Sequence, residues 1–316
     1  MVEDMEKAQG LIQALRQQVE RAFQGKPRVV ELTLTTLLAG GHILLEDVPG
    51  VGKTTLAMSM ARCLGLDFRR IQFTSDMLPS DIVGVSVWSK QAGDFKFNPG
   101  PVFSQLVLAD EINRTTPRTQ SALLEAMSER RVSVDNTTHD LPTPFHVIAT
   151  QNPLENYGTY PLPESQLDRF LMRLSIGYPG EQIERMLLLE RTDSEPVDNL
   201  ERVVSLEEYL GLQALVTRVT LGEEVADYIM RLVKQTRMDE RISVGVSTRG
   251  ALAIAKAARA YALIKGRSFC IPDDVREVFV PCCAHRLSFG AALSGATRED
   301  SELFVEELVK QVSIPV

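Results

Sequence analysis

The sequence lacks the long hydrophobic runs, the clustered metal ligands and the excess of basic residues that mark several functional classes of protein. No apolar run approaches the roughly 18 residues of a membrane-spanning helix, so no membrane span is expected. The first residues, Met1–Lys7, are acidic and have no hydrophobic core of the kind that secretory signal peptides carry. A cytoplasmic protein is therefore expected.

Cysteine and histidine are scarce, with four residues of each type in 316. The cysteines lie inside apolar helical patterns and do not have metal-ligand spacing, which favours buried free thiols in a reducing cytosol over disulfides or zinc. The histidines are scattered in the same way, so no histidine-based metal site is expected. The four cysteines are Cys63, Cys270, Cys282 and Cys283.

Basic residues are outnumbered by acidic ones, 34 against 42, which gives a formal net charge of -8. Broad nonspecific binding of nucleic acid needs a basic surface, so this activity is not expected, although a small local basic patch stays compatible with the composition. The hydrophobic fraction of 44% suits a globular protein, and a length of 316 residues fits two domains.

A glycine-bearing turn near residue 50 is the most informative feature that is present. The turn, residues 47–55, follows the apolar run Ile43–Leu45 and opens a helical pattern. Strand, glycine-bearing turn, Lys-Thr and helix is the order that a phosphate-binding loop requires. Gly50 and Gly52 allow successive backbone N–H groups to point at a phosphate, and the helix N-terminus adds the positive end of its dipole.

The side chains of this turn predict a nucleotide site. Lys53 is expected to reach the β- and γ-phosphates of ATP, and the Thr54 hydroxyl is expected to ligate Mg²⁺. The usual pattern opens with glycine where this chain has Asp47, but Asx residues tolerate turn geometry, so the loop can still close. The predicted nucleotide-binding residues are Pro49, Gly50, Val51, Gly52, Lys53, Thr54 and Thr55.

A second apolar run, 105–109, ends in two carboxylates, Asp110 and Glu111. Parallel α/β sheets place their ligands at the carboxyl ends of strands, where these two acids would lie. Asp110 is expected to hold Mg²⁺ through the water shell of the ion, which takes few protein ligands. Glu111 is expected to orient and polarise the attacking water.

The distribution of strand and helix patterns predicts two domains. A three-layer α/β domain with a parallel sheet, of the P-loop NTPase class, is expected over 1–179, and an all-α lid domain over 180–316. The predicted strands are 43–46, 68–73, 105–109, 146–150 and 170–176, and the predicted helices of the second domain are 181–191, 206–218, 223–238, 248–265, 273–286 and 300–312.

Two interruptions of the α/β pattern read as β-hairpins. The first, 76–103, is an alternating segment inserted into a helix, and the second, 131–147, precedes the fourth strand. Surface hairpins without a functional role are the alternative interpretation of both.

Three more polar residues are candidates for the site. Asn152 ends the fourth strand and would place its amide beside the γ-phosphate, unless it only forms an Asn-Pro turn. Arg169, before the fifth strand, carries a guanidinium suited to developing phosphoryl charge. Arg249 begins a helix that Ser247 caps, and a solvated arginine is the alternative interpretation there.

Together these segments resemble the AAA+ ATPases, and most closely the MoxR group, which shares the helix-two-insert clade with magnesium chelatase subunits. The resemblance covers nearly the whole chain and is most specific over residues 45–54, 109–114, 119–127, 149–153 and 162–170. Asp47 at the start of the loop is shared by MoxR-type sequences.

The resemblance implies a role for each candidate. Lys53 and Thr54 would form Walker A, and the two acids Walker B. Asn152 would be sensor 1, Arg169 the arginine finger and Arg249 sensor 2. The roles are catalytic for Glu111, Asn152, Arg169 and Arg249, and metal-binding for Thr54 and Asp110.

The resemblance also implies an assembly. Because an arginine finger completes the site of a neighbouring subunit, a homo-oligomer is expected, in the form of a hexameric ring. Arg114, just past Walker B, is a further candidate for contact with the neighbour. The insert 76–103 and the hairpin 131–147 would face a central pore.

The function implied by the resemblance is that of an ATP-driven chaperone or remodeller of a separate protein client, in maturation or metal insertion into protein complexes, with a von Willebrand factor A-domain protein as a possible partner. A nucleic-acid motor and a nucleotide-gated scaffold are the alternatives. The hairpin interior from Val132 to His146 has no Lys or Arg, which disfavours the motor. A scaffold has no need of the water-activating Glu111.

Overall fold

A five-stranded parallel sheet forms the centre of the first half of the chain in the computed structural model, which describes residues 2–91, 93–153, 158–189, 195–290 and 297–315. In chain order the strands are β1 (Ile43–Glu46), β2 (Phe68–Gln72), β3 (Gly84–Ser89), β4 (Asp94–Pro99), β5 (Leu106–Asp110), β6 (Arg131–Val134), β7 (Thr137–Asp140), β8 (His146–Gln151), β9 (Met172–Leu174), β10 (Ile242–Val244) and β11 (Ser288–Phe289). The central sheet has the order β2-β5-β8-β1-β9.

Helices cover both faces of this sheet and make up most of the second half of the chain. They are α1 (Val2–Ala22), α2 (Pro27–Leu38), α3 (Lys53–Cys63), α4 (Pro79–Val83), α5 (Pro117–Glu129), α6 (Glu164–Leu167), α7 (Glu181–Leu189), α8 (Leu206–Arg218), α9 (Glu223–Met238), α10 (Thr248–Ile264), α11 (Pro272–Cys283) and α12 (Arg298–Gln311). Among the described residues, none of these helices is long and apolar enough to cross a bilayer.

The central strands are apolar on both sides because each side meets a different core. On β5, Leu106 and Leu108 belong to the core that contains α1–α3 and the helices after β9. Val107 and Ala109 belong to a second core, on the face covered by α5. Successive side chains of a strand point to opposite faces, so a doubly covered strand reads as a continuous apolar run. This confirms the predicted three-layer α/β class.

In its described residues, the second half of the chain is helical except for one short ladder and an isolated β-bridge between Thr220 and Phe269. The strands β10 and β11 pair antiparallel, with Ile242 opposite Phe289. The expectation of an all-helical second half is therefore corrected at these positions, where strands of three and two residues are too short to show an alternating pattern. The boundary between 1–179 and 180–316 stays a prediction.

Both predicted hairpins form. The first consists of β3 and β4, and the close backbone approach at its base requires glycine, since a Cβ on Gly84 would lie 2.4 Å from the Asn98 carbonyl oxygen. The second consists of β6 and β7, whose two-residue turn has positive φ at Asp135 and Asn136. The hairpins contact each other, because the rings of Phe97 and His139 stack at 3.9 Å between centroids.

Candidate active site

The glycine-bearing turn lies at the carboxyl end of β1 and ends at the start of α3, as the sequence predicts. Gly50 and Gly52 have φ of 84° and 94°, a region that L side chains rarely adopt. These angles lead the backbone directly into the N-terminus of α3, where the helix dipole favours an anion. The Lys53 ammonium group donates to the carbonyl oxygens of Asp47 at 2.6 Å and Val48 at 3.1 Å.

Asp47 joins this loop to the chain that follows β9. One carboxylate oxygen accepts from the Val48 N–H at 2.9 Å. The other accepts from the Ser175 hydroxyl at 2.8 Å and from the Ile176 and Gly177 N–H groups at 2.7 Å each. Burial raises the pKa of this carboxyl, but the four hydrogen bonds outweigh burial and leave the pKa below its usual value. The sequence indicated only that aspartate is tolerated here.

Two carboxylates lie at the same edge of the sheet, and a hydroxyl on the strand between β1 and β5 connects them. Thr150 of β8 donates to Asp110 Oδ1 at 2.6 Å and accepts from the Glu111 N–H at 2.8 Å. Glu111 has a left-handed φ of 57°, at the turn where β5 ends. One side chain therefore fixes the positions of both acids. Asn152 follows β8 at this edge and is buried.

Thr150 was not singled out by its residue type. The available signal was its place two residues before Asn152 on a strand that pairs with β1, with Thr150 opposite Leu45. A polar side chain inside an otherwise apolar, doubly covered strand needs a hydrogen-bond partner, and the strand ends on either side supply acids.

Side chains from β2 also contact the acids. Arg70 lies within hydrogen-bonding distance of Asp110 Oδ2, at 3.1 Å from Nε and 2.6 Å from Nη2. Gln72 donates to Glu111 Oε2 at 2.8 Å, and Arg114 Nε is 3.1 Å from the same oxygen. The Glu111 carboxylate is thus oriented by two donors, and the Asp110 carboxylate carries a guanidinium.

Arg169 lies at the opposite edge of the sheet. The Leu171 N–H donates to the His42 carbonyl at 2.8 Å, which places this segment beside the amino end of β1. The four residues of β1 span about 13 Å at roughly 3.3 Å per residue, and the phosphate-binding loop begins only beyond them. Arg169 donates to the Leu124 carbonyl at 2.7 Å and to the Ser128 hydroxyl, both on α5.

Arg249 lies at that same edge, because it pairs with Asp168. The Arg249 Nε is 3.7 Å from Asp168 Oδ2, and the side chain is 60% exposed. The buried Arg286 donates to Asp168 Oδ1 at 2.7 Å and to the Phe170 carbonyl at 2.6 Å. The residues predicted as the arginine finger and sensor 2 therefore both lie beside Asp168, in a region that joins the amino end of β1, whereas the phosphate-binding loop follows its carboxyl end.

The oxygen donors at the carboxyl edge suit magnesium. Thr54 is the second residue of α3 and offers a hydroxyl, and Asp110 offers a carboxylate, the hard ligands that Mg²⁺ prefers. In the part of the chain that the structure describes, no group of three or more His, Cys, Asp or Glu side chains could hold a metal by itself. A metal at this edge would therefore depend on the phosphates of a bound nucleotide for further ligands.

Comparisons with known proteins identify the family. Residues 42–172 match the family model of the ATPases associated with various cellular activities (AAA), and residues 234–308 match the AAA lid domain. The chain is 39% identical over 309 residues to the chaperone MoxR1 of Mycobacterium tuberculosis, covering 94% of this chain and 81% of that protein. The chain belongs to the MoxR family of AAA ATPases. ATP hydrolysis is its activity.

Other similarities agree with membership of the MoxR family. The uncharacterized protein YeaC of Bacillus subtilis is 46% identical over 300 residues, which cover 94% of this chain and 93% of that protein. A crystal structure from Cytophaga hutchinsonii superposes with a TM-score of 0.89 at 33% identity, covering 99% of this chain and 98% of the other. The predicted relation to magnesium chelatase is confirmed by 28% identity over 187 residues to subunit ChlI-1 of Arabidopsis thaliana, covering 58% of this chain and 43% of that protein.

Replacing Thr150 with valine tests the connection between the two acids. We expect turnover of ATP to fall about 100-fold, because a displacement of about 1 Å in a catalytic group costs about that much. Nucleotide affinity measured in chelator should stay within about twofold, since the hydroxyl contacts the two acids rather than the groups that bind phosphate. Thr150→Ser keeps the hydroxyl and is the matched control. Wild-type turnover in Thr150→Val would contradict this assignment.

Replacing Asp47 with alanine tests the connection between the loop and the chain after β9. Loss of the acceptor leaves buried N–H groups unpaired, so the free energy of unfolding should fall by about 2–4 kcal/mol in a chemical denaturation series. Nucleotide affinity should also weaken, because Lys53 binds the backbone of the same turn. An Asp47→Ala protein with wild-type stability and affinity would show that the four bonds contribute nothing.

The same carboxyl predicts a pH dependence. Because the pKa of Asp47 is lower in the folded chain than in the unfolded chain, its stabilisation is present above the unfolded pKa of about 4 and is lost as the pH falls through the folded pKa. Acidification in that range should therefore narrow the stability difference between wild type and Asp47→Ala. A constant difference down to the acid transition would rule out this origin of the stability.

Proposed function

We propose that this MoxR-family ATPase binds magnesium ATP at the carboxyl edge of its sheet and uses the energy of hydrolysis to remodel a protein client. The backbone of residues 49–55 would hold the phosphates, with Lys53 on the β- and γ-phosphates. Thr54 and Asp110 would hold Mg²⁺, which offsets phosphate charge when bound. The observation that supports this site is the convergence of the loop, both acids and Asn152 on one edge of the sheet.

The hydrolytic roles are assigned to the two residues that end neighbouring strands. Glu111 would orient and polarise the attacking water, and Asn152 would place its amide beside the γ-phosphate. The contacts of Glu111 with Gln72 at 2.8 Å and Arg114 at 3.1 Å support a fixed carboxylate orientation. Arg114 is thereby given a partner within its own chain, and its contact with a neighbouring subunit stays a secondary proposal.

Arg169 and Arg249 are assigned to the site of a neighbouring subunit. Sheet polarity supports this assignment, since Arg169 lies two residues before Leu171, which bonds to His42 at the amino end of β1, and Arg249 pairs with the neighbouring Asp168. A heterologous interface that brings this edge of one subunit against the carboxyl edge of the next closes into a ring when the rotation allows it. AAA ATPases are typically oligomeric, and a hexameric ring is the arrangement that we propose.

The client would contact an apolar surface on the first hairpin. This hairpin surface consists of Trp88 and Phe95, which lie opposite each other on one face of the hairpin, with ring centroids 5.2 Å apart, and are 52% and 66% exposed. Val85 and Val87, which are 46% and 53% exposed, lie on the other face. Clustered exposed apolar side chains mark protein interaction sites. The stacking of Phe97 on His139 joins the two hairpins into one unit, which supports a shared position at the pore.

A protein client also fits the charge of the hairpins better than nucleic acid does. The segment from Val132 to His146 has no Lys or Arg, and in the first hairpin Asp94 offsets Lys90 and Lys96. MoxR1, a relative by sequence, is described as a chaperone, and another relative is a magnesium chelatase subunit. We therefore propose that the ATPase acts on its client during complex maturation or metal insertion. The candidate class of partner is a protein with a von Willebrand factor A domain. Buried free cysteines fit a reducing, cytoplasmic location.

Subunit mixing tests the shared site. Arg169→Ala should keep nucleotide affinity while turnover falls about 10³-fold, the cost of a missing arginine finger. Glu111→Gln should also be nearly inactive. An equal mixture should recover about a quarter of wild-type turnover, because half the intact Glu111 residues meet an intact neighbouring arginine in random heterologous rings. A mixture as inactive as its components, at concentrations where the subunits exchange, would place Arg169 in its own subunit's site.

Replacing Trp88 and Phe95 with serine tests the hairpin surface. Basal turnover should stay within about twofold of wild type, whereas binding of a reduced, carboxymethylated unfolded protein should weaken at least about tenfold, as expected for aromatic anchors. Lys90→Ala/Lys96→Ala is the matched control in the same hairpin and should bind this protein normally. Loss of duplex DNA binding in the lysine variant, with protein binding unaffected in the serine variant, would favour the motor.

A further inference from the structure

Arg70 occupies an unusual position for a guanidinium in a magnesium nucleotide site. It lies on β2, the outermost strand on one side of the central sheet, with its side chain 49% exposed. Two of its nitrogens reach the same oxygen of Asp110, at 3.1 and 2.6 Å. The Asp110 side chain is only 10% exposed, so the ion pair is half-sheltered from solvent.

The second oxygen of Asp110 is also bound. Thr150 donates to Oδ1 at 2.6 Å, so each oxygen of this carboxylate accepts from a side-chain donor. A hydrated magnesium ion needs the same carboxylate as an acceptor for its water shell. The guanidinium and the hydrated ion are both cations, so either one reduces the attraction that Asp110 offers to the other.

Arg70 has an alternative set of partners. Its Nη2 also donates to Gln72 Oε1 at 2.9 Å, and its exposed side can be hydrated. A shift of the guanidinium away from Asp110 therefore does not leave the Arg70 charge buried and unpaired. Arg70 can leave this carboxylate at far lower cost than a buried arginine could.

We infer that Arg70 competes with magnesium for Asp110 and sets the magnesium concentration at which this ATPase holds its nucleotide. The inference rests on the magnesium site proposed above. Arg70 would act on the metal indirectly, by occupying Oδ2 of Asp110. Because β2 is one of the two edge strands and the Arg70 side chain is half exposed, the guanidinium can move into solvent without disturbing the strand ladder.

The neighbouring residue provides a matched control. Arg69 is exposed like Arg70 but points to the opposite face of β2, the side on which Ile71 is buried. Replacing Arg69 removes the same charge from the same strand without touching the Asp110 carboxylate. A general effect of net charge would change magnesium dependence in both the Arg69 and the Arg70 variants. A specific competition for Asp110 would change it only in the Arg70 variant.

Titration of magnesium against binding of a fluorescent ATP analogue tests the inference without relying on turnover. Arg70→Ala should lower the half-saturating magnesium concentration about fivefold, the size expected for a partly exposed ion pair, and the shift should shrink at high salt. Arg70→Lys, which keeps the charge, should lie near wild type. Arg69→Ala should match wild type. Affinity measured in chelator should be the same in all four proteins.

Two outcomes would overturn the inference. An unchanged half-saturating concentration in Arg70→Ala would mean no competition. A higher concentration would mean that Arg70 only holds Asp110 in place for the metal. Failure of the magnesium site itself would look different, because the wild-type protein and Asp110→Asn would then respond identically to magnesium.

Discussion

The parallel direction of the strands beside β1 is the constraint on which the arrangement of this molecule depends. Both neighbours of β1 run in its own direction, with Leu45 opposite Thr150 on one side and Leu174 on the other. All five strands of the central sheet are parallel, so their carboxyl ends lie on one side, where the phosphate-binding loop and the two acids are found. The segment before β9 must then lie at the other edge, which separates Arg169 from the phosphate-binding loop of the same chain.

Two carboxylates bind the segments on either side of β9. Asp47 accepts three hydrogen bonds from residues 175–177, immediately after the strand. Asp168, before the strand, accepts from the buried Arg286. One carboxylate thus connects β9 to the phosphate-binding loop, and the other connects it to the helices of the second half. A displacement of the phosphate-binding loop, or of the helices of the second half, is therefore transmitted through these bonds to the β9 segment that carries Arg169.

The fold and the nucleotide edge could be predicted because their signals are local. The apolar run 106–109 marks β5 and the acids follow it directly, so the pattern alone places them at a strand end. The two inserted hairpins could also be predicted, because their strands alternate apolar and polar residues and their turns contain turn-forming residues. The β10–β11 ladder was not predicted, because strands of three and two residues are too short to show an alternating pattern.

The connections between distant residues could not be predicted in this way. Asp47 bonds residues about 130 positions away, and Asp168 pairs with an arginine 118 positions away. A single sequence records the residue types but not which of its many arginines and carboxylates meet. Thr150 and Arg70 were missed for the same reason, since their partner Asp110 lies 40 positions from each.

ATP turnover per subunit, measured across a wide range of protein concentration, tests the central claim most directly. In our proposal Arg169 and Arg249 act on the nucleotide of a neighbouring subunit, so that two chains complete each site. Turnover per subunit should therefore rise steeply as subunits assemble, in parallel with the mass of the particle measured in the same samples. Constant turnover down to concentrations at which only monomers are present would contradict the account, because a single chain would then contain a complete site.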